Sequence, residues 1–106
     1  MIMMTLNSKQ RKLLEKHANK IDPVVIVGAG GVSEGVTGKI DTDLGHHELI
    51  KVKFNDFKDE KRELTEGITD ATGAILVRLI GNVAILYRPA KEAKDRKYEK
   101  ELNKLS

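Results

Sequence analysis

The chain of 106 residues has no cysteine and no tryptophan, and it contains only two tyrosines, two phenylalanines and two prolines. The absence of cysteine excludes disulfide frameworks, thiol catalysis and cysteine-based zinc sites. No apolar run approaches the length of a membrane span, and residues 1–7 carry no early positive charge and no small-residue cleavage site of a signal peptide. We therefore expect one soluble domain in the cytoplasm, with no membrane partner.

Charge is unevenly distributed along the chain, although the formal net charge is only +3. Residues 1–22 carry +3 and residues 74–106 carry +4, whereas residues 59–73 carry −3. A folded protein with this segregation presents a positive face to a polyanion and a negative face elsewhere. The net charge alone does not require such a partner.

Hydrophobic periodicity and helix caps divide the chain into alternating helices and strands. Asn7 and Gln10 have the spacing of a capping box, and Ser33 is a suitable N-cap for a second helix. The predicted elements are a helix from Asn7 to about Asn19, a strand at 24–27, a helix from Ser33 to about Gly45, a strand at 48–54, a helix that starts at Asp56 or Asp59 and ends at Gly73, strands at 74–80 and 83–87, and a charged helical stretch after Pro89 that docks through Tyr98, Leu102 and Leu105.

This order, α-β-α-β-α-β-β, predicts an α/β fold with a four-stranded mixed sheet and helices packed on one face of the sheet. The βαβ steps imply parallel pairing with right-handed crossovers. Gly81 and Asn82 form a two-residue turn that makes the last two strands an antiparallel hairpin. We predict a single domain over residues 1–92 and a charged C-terminal helical tail over residues 93–106.

A glycine-rich loop, Gly28-Ala29-Gly30-Gly31, lies between the first predicted strand and the helix that Ser33 caps. Glycine removes side-chain bulk and permits positive φ, so backbone N–H groups here can approach an anion closely. The positive end of the following helix dipole lies beside them. The pattern indicates phosphate binding, with a plain tight turn as the alternative.

Three kinds of phosphate site use loops of this kind. A P-loop is excluded because no Gly-Lys-Ser/Thr follows. A dinucleotide fingerprint matches in part, as Gly28-x-Gly30-x-x-Ser33, but serine replaces its third glycine and the chain is too short for a cofactor domain plus a substrate domain. A GxxG loop from Gly28 to Gly31 that clamps a nucleic-acid backbone also fits, as in the KH module, which has a different topology.

Basic side chains accompany this loop at several places in the sequence. The first helix carries a lysine stripe, the second strand carries two lysines on one face, and the last strands carry two arginines. These residues are Lys9, Lys12, Lys16 and Lys20, then Lys51 and Lys53, then Arg78 and Arg88. With so few aromatic residues, recognition of a backbone or of a shape is favoured over base stacking on aromatic rings.

Candidates for catalysis or metal binding have little support. His46-His47-Glu48 lacks the i, i+4 geometry that binds zinc on a helix, which favours a structural role. His17 lies on the apolar edge of the first helix and is expected to pack there. No serine lies in a nucleophile elbow, and no carboxylate pair has the spacing for acid–base work. We predict no catalytic residue, no metal, no cofactor and no enzymatic activity.

Several motifs in order resemble the CRM domain (chloroplast RNA splicing and ribosome maturation), in the form of short stand-alone YhbY-like proteins. They are Lys-Gln-Arg-Lys-Leu-Leu from Lys9, Val-Gly-Ala-Gly-Gly-Val from Val27 with Ser-Glu-Gly-Val after it, His-Glu-Leu-Ile-Lys-Val-Lys from His47, and Ile-Gly-Asn from Ile80 with Leu-Tyr-Arg-Pro from Leu86. The resemblance covers roughly residues 5–92.

The resemblance implies a fold similar to the C-terminal domain of bacterial translation initiation factor three, extended by an N-terminal helix. It also implies RNA binding, with association to precursors of the large ribosomal subunit in bacteria and intron splicing in plant relatives. The GxxG of the family corresponds to Gly28 and Gly31, and its basic surface to Lys9, Lys12, Lys51, Lys53 and Arg88. Gly30 is an additional glycine in this loop.

We therefore expect a monomeric RNA-binding protein that assists ribosome assembly. The residues expected to contact RNA are Gly28, Ala29, Gly30, Gly31, Lys9, Lys12, Lys16, Lys51, Lys53 and Arg88. Two alternatives remain open. One is a protein-interaction module whose acidic third helix and basic helices dock on translation or chromatin proteins, and the other is a small nucleotide-binding protein.

Overall fold

A computed structural model describes residues 5–106. Residues 1–4, on which part of the expectation about a signal peptide rests, lie outside the described residues. The helices are α1 (Ser8–Ala18), α2 (Glu34–His47), α3 (Lys61–Thr72) and α4 (Glu99–Lys104), the strands are β1 (Val25–Val27), β2 (Leu49–Phe54), β3 (Ile75–Ile80) and β4 (Val83–Tyr87), and short 3-10 turns lie at Lys58–Glu60 and Ala93–Asp95.

The four strands form one mixed sheet in the order β1-β2-β4-β3. The predicted parallel pairing of β1 with β2 and the antiparallel hairpin of β3 with β4 are both confirmed. The expected parallel pairing after the second βαβ step is wrong, because β4 pairs with β2 and separates it from β3. The tight turn at Gly81, whose φ is +56°, brings β4 back beside β3. The strand β4 therefore occupies the position next to β2 that β3 was expected to take.

Helices cover both faces of the sheet, and the expectation of helices on one face is wrong. Under α2 and α3, the core includes Ile40, Ile68 and the buried face of β2. Under α1 and α4, a second core joins Leu14 and Leu102 to side chains on the opposite face of the sheet. The two lysines of β2 suggested an open face, but buried neighbours on β3 and β4 make most of that face apolar.

The helix boundaries follow the local signals in the sequence. Asn7 Oδ1 accepts a hydrogen bond from Gln10 N at 2.8 Å, and Gln10 Oε1 accepts one from Asn7 N at 2.9 Å, which confirms the capping box of α1. Ser33 caps α2 by accepting from Val36 N. Gly73 ends α3 with a left-handed φ of +75°.

Glu48 holds the C-terminal segment against the sheet. Its side chain is 2% exposed, and its two carboxylate oxygens accept from Ala90 N at 2.8 Å and from Lys97 N at 2.6 Å. Charge-assisted bonds to backbone N–H groups are among the stronger hydrogen bonds in proteins. Within the His46-His47-Glu48 motif, the carboxylate is therefore engaged in structure.

The segment that follows is only partly helical, because the helix expected after Pro89 begins at Glu99. Leu102 is 1% exposed, and its carbonyl accepts from Gln10 Nε2 at 3.0 Å. Asn7 Nδ2 donates to Leu105 O at 2.7 Å. These contacts attach α4 to the start of α1.

The domain boundary at residue 92 stays a prediction. Within residues 5–106, no helix is long and apolar enough to cross a bilayer.

Tyr87 gives a test of this core. The residue is fully buried, and its hydroxyl has no hydrogen-bond partner within residues 5–106. Burial, with a smaller contribution from the negative charge of Glu48, raises the pKa of Tyr87 from 10.0 to about 12. Because an unpaired buried hydroxyl is destabilising, we expect Tyr87→Phe to keep the free energy of unfolding unchanged or to raise it by about 1 kcal/mol.

The same variant gives a pH signature. Between pH 10.0 and about pH 12 the unfolded chain ionises Tyr87 while the folded protein keeps the proton, so the stability of the parent protein falls as pH rises. Tyr87→Phe lacks this contribution, and the difference in stability between the two proteins should grow over that range in urea titrations. A parallel decline in both proteins would contradict the assignment.

Candidate functional site

The glycine loop forms a tight turn at the end of β1. Gly31 N donates to Gly28 O at 3.0 Å, which closes the turn. Gly31 has a φ of +70°, and a Cβ atom there would lie 3.3 Å from Phe57 Cε2. A left-handed backbone and a close neighbour both favour glycine, so the fold itself explains Gly31.

The fold does not explain Gly28 and Gly30 in the same way. Neither has a left-handed φ, and a Cβ atom at either position would meet no atom of residues 5–106 within 4 Å. Ala29 and Gly30 are exposed. The turn therefore presents backbone with little side-chain cover to solvent, and a ligand can approach it closely.

Unpaired backbone donors lie in this turn. The N–H groups of Gly28, Ala29 and Gly30 have no acceptor within the part of the chain that the structure describes. The N-terminus of the 14-residue α2 begins three residues beyond the turn, at Glu34. Free N–H groups beside the positive end of a helix dipole are a favourable environment for an anion.

Phe57 supports one side of the turn, and sequence reasoning did not identify it. Its ring lies against Gly31, it is 42% exposed, and its φ of +57° is unusual for a residue with a bulky side chain. Asn55 N and Asp56 N both donate to Val27 O, which ties this segment to the end of β1. A single sequence holds no signal for such a backbone conformation at phenylalanine.

The two lysines of β2 have different roles. Lys53 is exposed, lies opposite Ile26 of β1, and has no hydrogen-bonding or ionic partner among residues 5–106. Lys51 is half-buried, and its Nζ donates to Ile21 O at 3.0 Å. Lys53 thus lies beside the last residues of β1, close to the glycine turn, whereas Lys51 supports the connection between α1 and β1.

The lysines of α1 lie on its outer side. Lys9, Lys12 and Lys16 are exposed, and α1 packs on the same face of the sheet to which Lys53 points. Arg11 is different, since its Nη1 donates to Leu76 O at 2.7 Å and to Val77 O at 2.8 Å. It satisfies carbonyl groups at an irregularity of the edge strand β3.

The two arginines of the last strands lie apart from the turn. Arg88 donates to the side chain and backbone of Asp41 in α2 and to Thr72 O at the end of α3. It follows β4 at the end where β2 begins, about 23 Å along the strands from the glycine turn. Arg78 is exposed and forms an ion pair with Glu15 of α1 at 3.2 Å. Arg88 therefore joins α2 to α3, and the structure does not bring it to the loop.

The predicted histidines lie away from this surface. His46 and His47 are exposed at the end of α2, and no cluster of three metal-ligating side chains is found among residues 5–106. His17 is half-buried and packs against Tyr98, with ring centroids 5.1 Å apart. Its Nε2 lies 3.4 Å from Glu101 Oε1, which adds a weak contact between α1 and α4.

Residues 6–88 match the CRS1 / YhbY (CRM) domain family, and the chain belongs to this family. A Haemophilus influenzae protein named "RNA-binding protein" is 43% identical over 93 residues, which cover 87% of this chain and 94% of that protein. A Bacillus subtilis protein named "Probable RNA-binding protein YqeI" is 33% identical, with 84% of this chain and 94% of the relative covered. The family resemblance read from the sequence motifs is thus confirmed.

A solved structure is also similar. The solution structure of the Staphylococcus aureus protein SAV1595, proposed to bind RNA, superimposes with a TM-score of 0.71 at 40% sequence identity, covering 88% of this chain and 98% of that one. This similarity confirms the mixed α/β fold. The expected likeness to the C-terminal domain of translation initiation factor three stays a prediction.

The geometry of the turn predicts that two alanine substitutions differ in their effect on stability. Gly31→Ala should lower the free energy of unfolding by about 1–2 kcal/mol, because a left-handed backbone is unfavourable for alanine and the Cβ atom crowds Phe57. Gly30→Ala should change it by less than about 0.5 kcal/mol, because neither constraint applies. Denaturant unfolding measures both, and equal losses would contradict the described turn.

Proposed function

We propose that this protein binds RNA, with the glycine turn and Lys53 as the centre of the contact surface. The observation that carries the proposal is that Gly28, Ala29 and Gly30 offer N–H groups at the N-terminal end of α2 that have no acceptor among residues 5–106. Phosphate oxygens accept from such groups. The names of the Haemophilus and Bacillus relatives support RNA as the polyanion.

The lysines extend this surface beyond the turn. Lys53 supplies a positive charge beside β1, and Lys9, Lys12 and Lys16 supply a second group of charges on the outer side of α1. Contacts of this kind position an RNA backbone and make the affinity depend on salt, with a slope of about −0.7 per phosphate neutralised on a single strand. We assign Lys51 and Arg88 to the support of the fold, since each of them donates to a backbone carbonyl group of the protein.

The RNA that we propose is ribosomal, and the site of action is the cytoplasm. This step rests on the resemblance to stand-alone CRM proteins, which implies association with precursors of the large ribosomal subunit. Gradient sedimentation of a cell extract tests it. We expect the protein to travel with large-subunit precursors before RNase treatment and to leave those fractions after it. A complex that persists after RNase treatment would favour a protein-interaction module instead.

Gly30→Asp tests the role of the turn. A carboxylate at this position would repel phosphates, and it has room because a Cβ atom there meets nothing within 4 Å. We expect affinity for structured ribosomal RNA to fall at least about tenfold with no loss of thermal stability, as one like-charge contact at a phosphate site suggests. Fluorescence anisotropy at several salt concentrations measures the affinity and its salt slope.

Gly67→Asp is the matched control for this experiment. Gly67 is an exposed glycine of α3, and a Cβ atom there also meets nothing within 4 Å. The control makes the same change of charge on the helix that carries the acidic residues Glu63, Glu66 and Asp70. It should bind RNA like the parent protein. If Gly30→Asp and Gly67→Asp bind alike, the turn has no part in the function.

A further inference from the structure

One row of side chains crosses all four strands at the end of the sheet next to the glycine turn. The register places Ile26 opposite Lys53, Lys53 opposite Val83, and Val83 opposite Ile80. The row lies on the face covered by α1, because the alternate residues of each strand belong to the core under α2 and α3. Three spacings between strands make it about 14 Å long.

This row is open, whereas the middle of the next row on the same face is covered. Ile26 is 57% exposed and Ile80 is 42% exposed, and Lys53 between them is also exposed. In the next row Ile85 is 1% exposed beneath α1. Apart from Phe57, Ile26 and Ile80 are the exposed large hydrophobic residues of the described chain, and both are in this row. Two such residues around one lysine form a surface that favours a partner with both apolar and anionic parts.

The charges near the row decide between kinds of partner. Lys53 lies within it, and Lys51 and Arg78 lie on either side of Ile85 in the adjacent row. A second copy of this chain would bring two lysine-centred rows together, and like charges directly opposite each other are destabilising. A nucleic acid matches both features, because phosphates carry negative charge and the faces of bases are apolar.

Apolar side chains distinguish unpaired RNA from duplex RNA. In an A-form helix the bases are stacked and paired, and the deep major groove does not admit protein side chains. A flat apolar row contributes to binding only when bases are splayed out of a helix. The row follows the sheet towards Ile26, two residues before Gly28, so a strand whose backbone contacts the glycine turn can place its next bases over the row.

We propose that the row of Ile26, Lys53, Val83 and Ile80 is a contact surface for unpaired bases, so that this protein prefers single-stranded segments of RNA to duplex. The glycine turn binds the backbone of the strand, Lys53 binds a neighbouring phosphate, and the two isoleucines contact the faces of the bases. This inference rests on the proposed function and adds to it the class of RNA structure that is recognised.

The double substitution Ile26→Thr with Ile80→Thr tests the row in the full chain. Threonine keeps the β-branched shape that strands favour but replaces a large part of the apolar surface. Leu105→Thr removes apolar surface at the C-terminus of the chain and is the control for a general loss of packing. The probes are an unstructured uridine-rich oligonucleotide and an A-form RNA duplex of the same length, measured by fluorescence anisotropy at fixed salt.

The parent protein should bind the oligonucleotide more tightly than the duplex. In the double variant, affinity for the oligonucleotide should fall about tenfold through the lost apolar contact, and affinity for the duplex should stay within about twofold. Leu105→Thr should keep the preference of the parent protein. Thermal unfolding of the double variant should stay close to that of the parent, since Ile26 is 57% exposed and Ile80 is 42% exposed.

Two results would overturn the inference. If the double variant keeps the affinity of the parent for the oligonucleotide while Gly30→Asp loses it, the RNA function stands and the row has no part in it. If the double variant instead loses a protein complex that resists RNase, the row is a protein-docking surface. A Gly30→Asp variant that binds RNA normally would contradict the proposed function itself, whatever the row does.

Discussion

The parallel pairing of β1 with β2 determines where the parts of the proposed site lie. Val27 lies opposite Phe54, so both strands end at the same edge of the sheet. The crossover to β2 starts from that edge, and α2 therefore has its N-terminus beside the glycine turn. The same register puts Ile26 next to Lys53 on the face of the sheet that α1 covers. Backbone donors, a helix dipole, a lysine and Ile26 thus meet at one end of the sheet because of a single strand pairing. The pairings of β4 with β2 and with β3 complete the apolar row beside them.

Two hydrophobic cores, one on each face of the sheet, stabilise this pairing. Charged side chains add hydrogen bonds to backbone groups of neighbouring segments. Glu48 binds backbone N–H groups of the C-terminal segment, Arg11 binds carbonyl groups of β3, and Arg88 joins α2 to the end of α3. These residues satisfy buried or partly buried backbone groups that would otherwise lack partners. A positive charge in this sequence is therefore not evidence of RNA contact by itself. Unlike Arg11, Lys51 and Arg88, Lys53 and the outer lysines of α1 are exposed, and their ammonium groups have no partner in residues 5–106.

Local signals allowed most elements to be predicted, whereas the roles of individual side chains depended on contacts between distant segments. The caps at Asn7 and Ser33 act within one turn of a helix, so the sequence around them was sufficient. The alternating pattern correctly placed Lys51 and Lys53 on one face of β2. Only the path of the chain at Ile21 gives Lys51 a carbonyl acceptor, while Lys53 stays exposed. The second helical layer and the insertion of β4 between β2 and β3 were missed for the same reason, since neither the partner of a helix nor the neighbour of a strand is encoded locally.

The central claim is that RNA contacts the end of the sheet where the glycine turn lies. The most direct measurement is a titration of the isotopically labelled protein with an RNA oligonucleotide, followed by NMR of the backbone amides. We predict that the largest shift changes occur at Ala29, Gly30 and Lys53, with little change around Arg88 at the other end of β2. Shift changes confined to α3 or to the segment around Arg88, with the glycine turn unaffected, would contradict the account.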